Sequence, residues 1–200
     1  MLIGAVCGAF TLQPAKADIM STLNVGNDDL NNFPGPYGTV TIGLSGQVAT
    51  ITFKAAAGFE FGDGQAVDVN VNSSDFTPVL VVDPGFDNFE TFANNPVDGF
   101  GKFNLQLNNA NFSVGYTLFS FTVTNNSATL WGSATDVLTF NSSGFDAAAH
   151  VRPTVNNPEG KTGKAAESGP FTNVPDSGTT AMLLGSALAG LDLARRYLKR

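Results

Sequence analysis

From residue 18 to residue 152 the chain alternates apolar and polar residues in short runs broken by Gly, Asn, Asp and Pro. Nine such runs stand out, at 39–42, 48–54, 67–72, 79–82, 100–107, 116–124, 128–131, 137–140 and 147–151. Period-two alternation over runs this short predicts half-buried strands. Residues two apart lie on one face of a strand, so Phe103, Leu105 and Leu107 should share a face, as should Phe119, Phe121 and Val123. These are the expected core. Many closely spaced short strands predict an all-β fold, a β-sandwich of jelly-roll type over residues 18–152.

Composition narrows this further. The chain carries four Glu and six Lys against 22 Gly and 17 Phe, which is poor material for exposed helix faces. Charged residues make up 14% and apolar ones 42%, too apolar for a disordered chain. With a formal charge of −7 and a pI near 4.4, the sign is wrong for binding nucleic acid. Residues 18–173 hold fifteen acids and five bases, whereas residues 194–200 hold four bases and no acid. The end of the chain therefore belongs to a different physical environment.

Both termini carry targeting features. Residues 2–12 are apolar or small, and Pro14 and the small-x-small triplet Ala15-Lys16-Ala17 follow. This predicts a signal peptide over residues 1–17, cut by signal peptidase after Ala17, although no Lys or Arg precedes the apolar run. The single Cys, Cys7, would leave with it, so the mature chain would hold neither a disulfide nor a thiolate ligand. At the other end, Val174-Pro175-Asp176-Ser177-Gly178 precedes an Ala/Leu/Gly segment at 179–194 and a basic tail of Arg195, Arg196, Lys199 and Arg200. As a helix that segment spans about 24 Å at 1.5 Å per residue, short of the roughly 30 Å hydrocarbon core, so crossing needs thinning or snorkelling. The basic tail then marks the cytoplasmic side.

Taken together, these 27 residues resemble the C-terminal sorting signals handled by exosortases, specifically the VPDSG variant of the PEP-CTERM class. The resemblance implies a membrane-embedded cysteine-dependent enzyme that cuts at or near Val174, Pro175, Asp176, Ser177 and Gly178 and removes the helix. Asp176-Ser177 in place of Glu-Pro, and Asp192 within the helix, depart from the larger class. Independently of the family, Pro175 holds Val174 extended, and Asp176 or Ser177 can cap the helix that follows. Residues 153–173 are poor in large apolar side chains and are expected to form a flexible stalk.

Candidate chemistry in the domain is sparse. His150, the sole histidine, sits among small residues, and no nucleophile-elbow, zinc-protease or phosphate-loop motif is present. Asp83, Asp87 and Glu90 place oxygens on one turn-rich loop and are the candidate calcium ligands, with Glu60, Asp63 and Gly64 a second grouping. Asp68, Asn70 and Asn72 should form a polar outer strand face. Trp131, Tyr37 and Tyr116 are candidates for a sugar-stacking platform, and N-x-S/T sequons begin at Asn72, Asn111, Asn125 and Asn141.

The expectation is therefore a non-enzymatic exported protein with no required cofactor. Signal peptidase and an exosortase process it, it passes transiently through the inner membrane, and it ends at the cell surface or in the extracellular matrix. Its β-domain would be structural or adhesive, with extracellular polysaccharide as a candidate partner. The alternative is a secreted carbohydrate-binding module assisted by calcium. A more remote alternative is a secreted hydrolase built on a carboxylate pair.

Overall fold

The computed structural model describes residues 18–62, 64–81, 88–91, 96–108, 115–167, 169–174 and 195, with the backbone alone for Asn88 and Glu90. The chain divides into a compact unit, residues 17–175, and a second unit of residues 1–16 with 176–200, which lies almost entirely outside the described set. The signal-peptide residues Ala15 and Ala17, the membrane helix at 179–194 and tail residues Arg196, Lys199 and Arg200 fall outside it. Arg195 is helical and exposed. Among the described residues no helix is long and apolar enough to cross a membrane.

The first unit is almost all strand. β1 (Ile19–Gly26), β2 (Gly38–Ser45) and β3 (Val48–Ala55) form an antiparallel meander. β4 (Phe59–Phe61), β5 (Val67–Val69), β6 (Phe76–Leu80) and β7 (Asn88–Thr91) follow. β8 (Pro96–Val97) and β9 (Gly101–Lys102) make a small separate hairpin. β10 (Leu105–Asn108), β11 (Leu118–Asn125), β12 (Ala147–Pro153), β13 (Gly163–Glu167) and β14 (Thr172–Asn173) complete the set. The main sheet runs β6-β11-β3-β2-β1-β13-β12-β5-β10-β7, with β14 beside β1 and β4 beside β12. Every pairing in it is antiparallel.

The sheet curls on itself. Phe89 of β7, at one end of the strand order, lies 5.6 Å from Phe121 of β11, one strand from the other end. Phe61 of β4 exchanges backbone hydrogen bonds with Tyr116, just ahead of β11, at 2.7 and 2.9 Å. The curl encloses one core in which Phe53, Phe61, Phe119 and Phe121 are wholly buried. Phe53 packs edge-on to Phe61 and stacks on Phe121, the offset and T-shaped geometries aromatic pairs prefer. Alternation along β2 and β11 is regular, so the inward positions are Val40, Ile42 and Leu44, and Phe119, Phe121 and Val123, as the sequence predicts.

Leu105 and Leu107 also join the main core, but Phe103 does not. It belongs with Val97 and Phe100 of the β8–β9 hairpin to a second small cluster against Ala148 and Ala166, on the other side of the sheet. The run 100–107 is thus two strands, β9 and β10, separated at residues 103–104.

Two predicted strands are absent. At 128–131 the side-chain amide of Gln47 takes the role of a neighbouring strand, accepting from Trp131 N–H at 2.9 Å and donating to its carbonyl at 3.1 Å. At 137–140 only an isolated bridge forms, Leu138 with Val71, directly after a 3-10 turn at Ala134–Asp136 that a Ser133–Asp136 capping box starts.

The expected stalk is largely part of the fold. β13 inserts between β1 and β12 in the middle of the sheet, and all five of its residues are buried. Ala165 and Ala166 suffice there because the neighbouring elements are close. A Cβ added at Gly163 would stand 2.7 Å from the Asn27 carbonyl oxygen and from Leu30 Cβ. Ahead of β13, Asn157 closes the loop by bonding Pro153 O, Lys161 O and Lys161 N–H. A central strand needs small side chains where packing is tight, so low apolar content did not mean disorder here.

Candidate functional site

The strongest sequence motif begins where the described fold ends. β14 pairs with the start of β1, Asn173 opposite Ile19 and Thr172 opposite Met20. One residue on, Val174 N–H donates to the Asp18 carbonyl at 2.7 Å. The first motif residue is therefore held against the residue that would follow the predicted signal cleavage. Pro175, Asp176, Ser177 and Gly178 lie outside the described residues.

Of the calcium candidates, only the Glu90 backbone falls within the described residues. Asp83 and Asp87 lie outside the described residues, and Glu90 sits in β7 opposite Gln106. Of the second grouping, Glu60 is engaged by Arg152, its cross-strand neighbour on β12, which takes its carboxylate oxygen through both Nε and Nη2. Asp63 lies outside the described set. Among the described residues no group of three His, Cys, Asp or Glu side chains is placed to hold a metal.

The aromatic platform is not formed either. Trp131 is 3% exposed and donates its indole N–H to Asn72 O at 2.8 Å, while Tyr37 is 4% exposed with its hydroxyl on the carbonyls of Leu30 and Phe33. Tyr116 packs on Phe119, 5.5 Å between ring centroids. Core formation takes Trp131 and Tyr37 because each polar tip finds a backbone partner. Of the sequons, Asn125 is buried with its amide on Thr129 O, Asn141 is half-buried on Phe100 O, Asn72 is exposed on Asp136 O, and Asn111 is outside the described residues. His150, half-buried on β12, meets the Thr162 hydroxyl at 3.1 Å.

What sequence reasoning missed is a set of buried carboxyls. Asp68, expected on an outer polar face, is wholly buried because the β8–β9 hairpin covers that face. Gln106 lies directly opposite it on β10. Burial pushes the Asp68 carboxyl up to about 8, against the opposing pull of the Lys164 charge and the Gln106 side chain. Lys164 in turn donates to the carbonyls of Gly64 and Gln65, both at 3.2 Å.

A second pair, Asp146 and Glu167, joins the start of β12 to the end of β13. Glu167 accepts the N–H groups of Asp146 and Ala147 at 2.7 and 3.0 Å, one on each carboxyl oxygen. Burial, the largest cause, raises both acids, and the neighbouring Asp146 carboxylate raises Glu167 further. Two such carboxyls in contact hold one proton between them. Of the two, Glu167 is pushed up the further, because the Asp146 charge adds to its burial, whereas Asp146 is held down by its hydrogen bond with Glu167. The sequence signal was faint. Lys164-Ala165-Ala166-Glu167 does not alternate, and its apolar members are only alanines.

Comparison with known proteins bears on the C-terminal end alone. Residues 173–198 match the family model described as the VPDSG-CTERM motif, a PEP-CTERM-type sorting signal. No curated protein and no solved structure matches the chain significantly.

Proposed function

We propose that the chain is an exported protein delivered by an exosortase to the cell envelope or extracellular matrix, where its β-domain serves a non-enzymatic structural or adhesive role. The observation that carries the sorting part is the coincidence of the matched motif, residues 173–198, with the end of the folded unit. A processing enzyme needs an extended, accessible strand, and β14 is two residues long and pairs with β1 alone. Beyond it, Pro175 removes an N–H and keeps the chain from continuing as regular structure into the domain. The signal peptide, the membrane-bound precursor and the surface destination belong to the same proposal and follow from the order of segments at the two termini.

The test is the intact mass of the protein in membrane, envelope and medium fractions. A product that begins at Asp18 and ends between Val174 and Thr179 supports the proposal. Pro175→Ala, or deletion of residues 195–200, should then leave unprocessed chain in the membrane fraction. A full-length mass ending at Arg200 in every fraction, or normal maturation of both variants, would overturn it.

A further inference from the structure

The outward face of the β2-β3-β11 region carries a repeated arrangement of hydroxyls. Alternation sends Val40, Ile42, Ile51, Phe53, Phe119 and Phe121 into the core, so the residues between them face outward. The register sets Thr41 opposite Thr52 and Thr52 opposite Ser120, forming one rung. The next rung is Gly43, Thr50 and Thr122. Neighbouring strands lie about 4.8 Å apart, so the hydroxyls repeat across the sheet at roughly that interval. Thr52 and Ser120 are themselves hydrogen-bonded, 3.0 Å between their oxygens.

Gly43 interrupts the second rung, and a depression of about 390 Å3 lies beside it. Thr41, Ser45, Thr50 and Thr52 line it, together with Asp18. The Asp18 carboxylate leans over Gly43, so that a Cβ there would stand 2.7 Å from its Oδ1. Neither rung contains a charged side chain, and Lys54 occupies the flanking rung opposite Thr39 and Leu118.

From this placement we infer that the face is a docking surface for a neutral polysaccharide, with one sugar ring seated in the depression at Gly43. Threonine hydroxyls both donate and accept, matching sugar hydroxyls, which do the same. Their methyl groups meet the C–H face of the ring, and the Asp18 carboxylate can accept two neighbouring hydroxyls. The rungs offer no charge to an ionic polymer, and the net charge of about −10 over residues 18–173 repels polyanions. Each contact is weak, and a polymer that engages successive rungs gains by multivalency. The inference gives a ligand class to the adhesive role proposed above and does not depend on how the chain is sorted.

The experiment uses the purified full chain in detergent and measures retention on insoluble amorphous cellulose, curdlan and chitin, with alginate as the anionic comparison. Two variants are compared with the parent. Gly43→Val adds a β-branched side chain to the depression and displaces the Asp18 carboxylate from over the strand, and Thr50→Glu places a charge on an exposed position of the same rung. Fluorescence of Trp131, the single tryptophan and a buried one, reports that each variant is folded. Retention of the parent on at least one neutral polymer, weakened about tenfold or more in both folded variants, is the expected result; tenfold corresponds to about 1.4 kcal/mol. Retention on none of the neutral polymers, retention on alginate alone, or retention unchanged in both variants would overturn the inference. None of these outcomes alters the mass-based test of sorting.

Discussion

Replacing Asp68 with Asn should reverse part of the domain's pH dependence. Asp68 is wholly buried, and its carboxyl is pushed up to about 8. In the unfolded chain the same group titrates near about 3.9. Between those values the folded state holds a proton that the unfolded state has released, so stability falls as pH rises. The contribution is fully present below about pH 4 and is lost progressively as pH climbs toward about 8. Each pH unit in that window costs about 1.4 kcal/mol, so the loss from pH 4 to pH 7 amounts to about 4 kcal/mol at most. Asn is neutral in both states and has no such slope. An amide hydrogen left without a partner costs about 1–3 kcal/mol, and that cost does not change with pH. Asp68→Asn should therefore be neutral to destabilising at pH 4 and stabilising at pH 7. Its stability relative to the parent should shift by up to about 4 kcal/mol between the two. Urea unfolding followed by Trp131 fluorescence at both pH values measures this directly. A difference between variant and parent that stays constant with pH would refute the buried-acid argument.

Three further substitutions test the remaining buried geometry. Glu167→Gln leaves one oxygen to do the work of two and turns an NH2 toward a backbone N–H, so it should cost about 2–4 kcal/mol in urea unfolding at pH 7. Asp146→Asn keeps both backbone N–H bonds to Glu167 and places an amide donor beside it, so it should cost less than Glu167→Gln, and the opposite ranking would refute the role given to those two bonds. Gly163→Ala forces a methyl to within 2.7 Å of the Asn27 carbonyl oxygen and Leu30 Cβ. It should lower stability by about 1–3 kcal/mol through overpacking, visible as a reduced melting temperature.

The strands that alternate large apolar side chains with threonine were legible in the sequence, because burying one face of a sheet demands that period. β2, β3 and β11 are the examples, and their Ile, Val and Phe positions are the core. β13 was illegible for the converse reason. In a crowded central position the core side chains are the adjacent Ala165 and Ala166, set between Lys164 and Glu167, and that order carries no period-two signal. Asp68 was misplaced because its strand face is outward with respect to the main core, yet a hairpin thirty residues further along the chain covers it. Period-two reasoning assigns faces, and a long-range partner decides whether a face is wet. The sorting motif was readable in full because its recognition rests on a contiguous stretch, whereas the hydroxyl rungs exist only once three strands are in register.

The loss of the stalk changes how the proposed processing would work. With residues 153–173 free, the motif could reach an enzyme in the membrane whatever the domain did. With β13 inside the sheet and β14 on β1, the folded unit continues to Val174, and the motif begins at its boundary. The Ala17–Asp18 bond lies beside the same boundary, since Asp18 and Val174 are hydrogen-bonded neighbours. Both proposed cleavages therefore fall next to one strand pairing, β1 with β14. A mature chain cut at both places would keep its new ends paired across β1 and β14. Its C-terminus would then lie beside Asp18, which lines the depression. On the proposed function, the surface offered to a polysaccharide and the end handled by the sorting enzyme would be set by the same strand pairing.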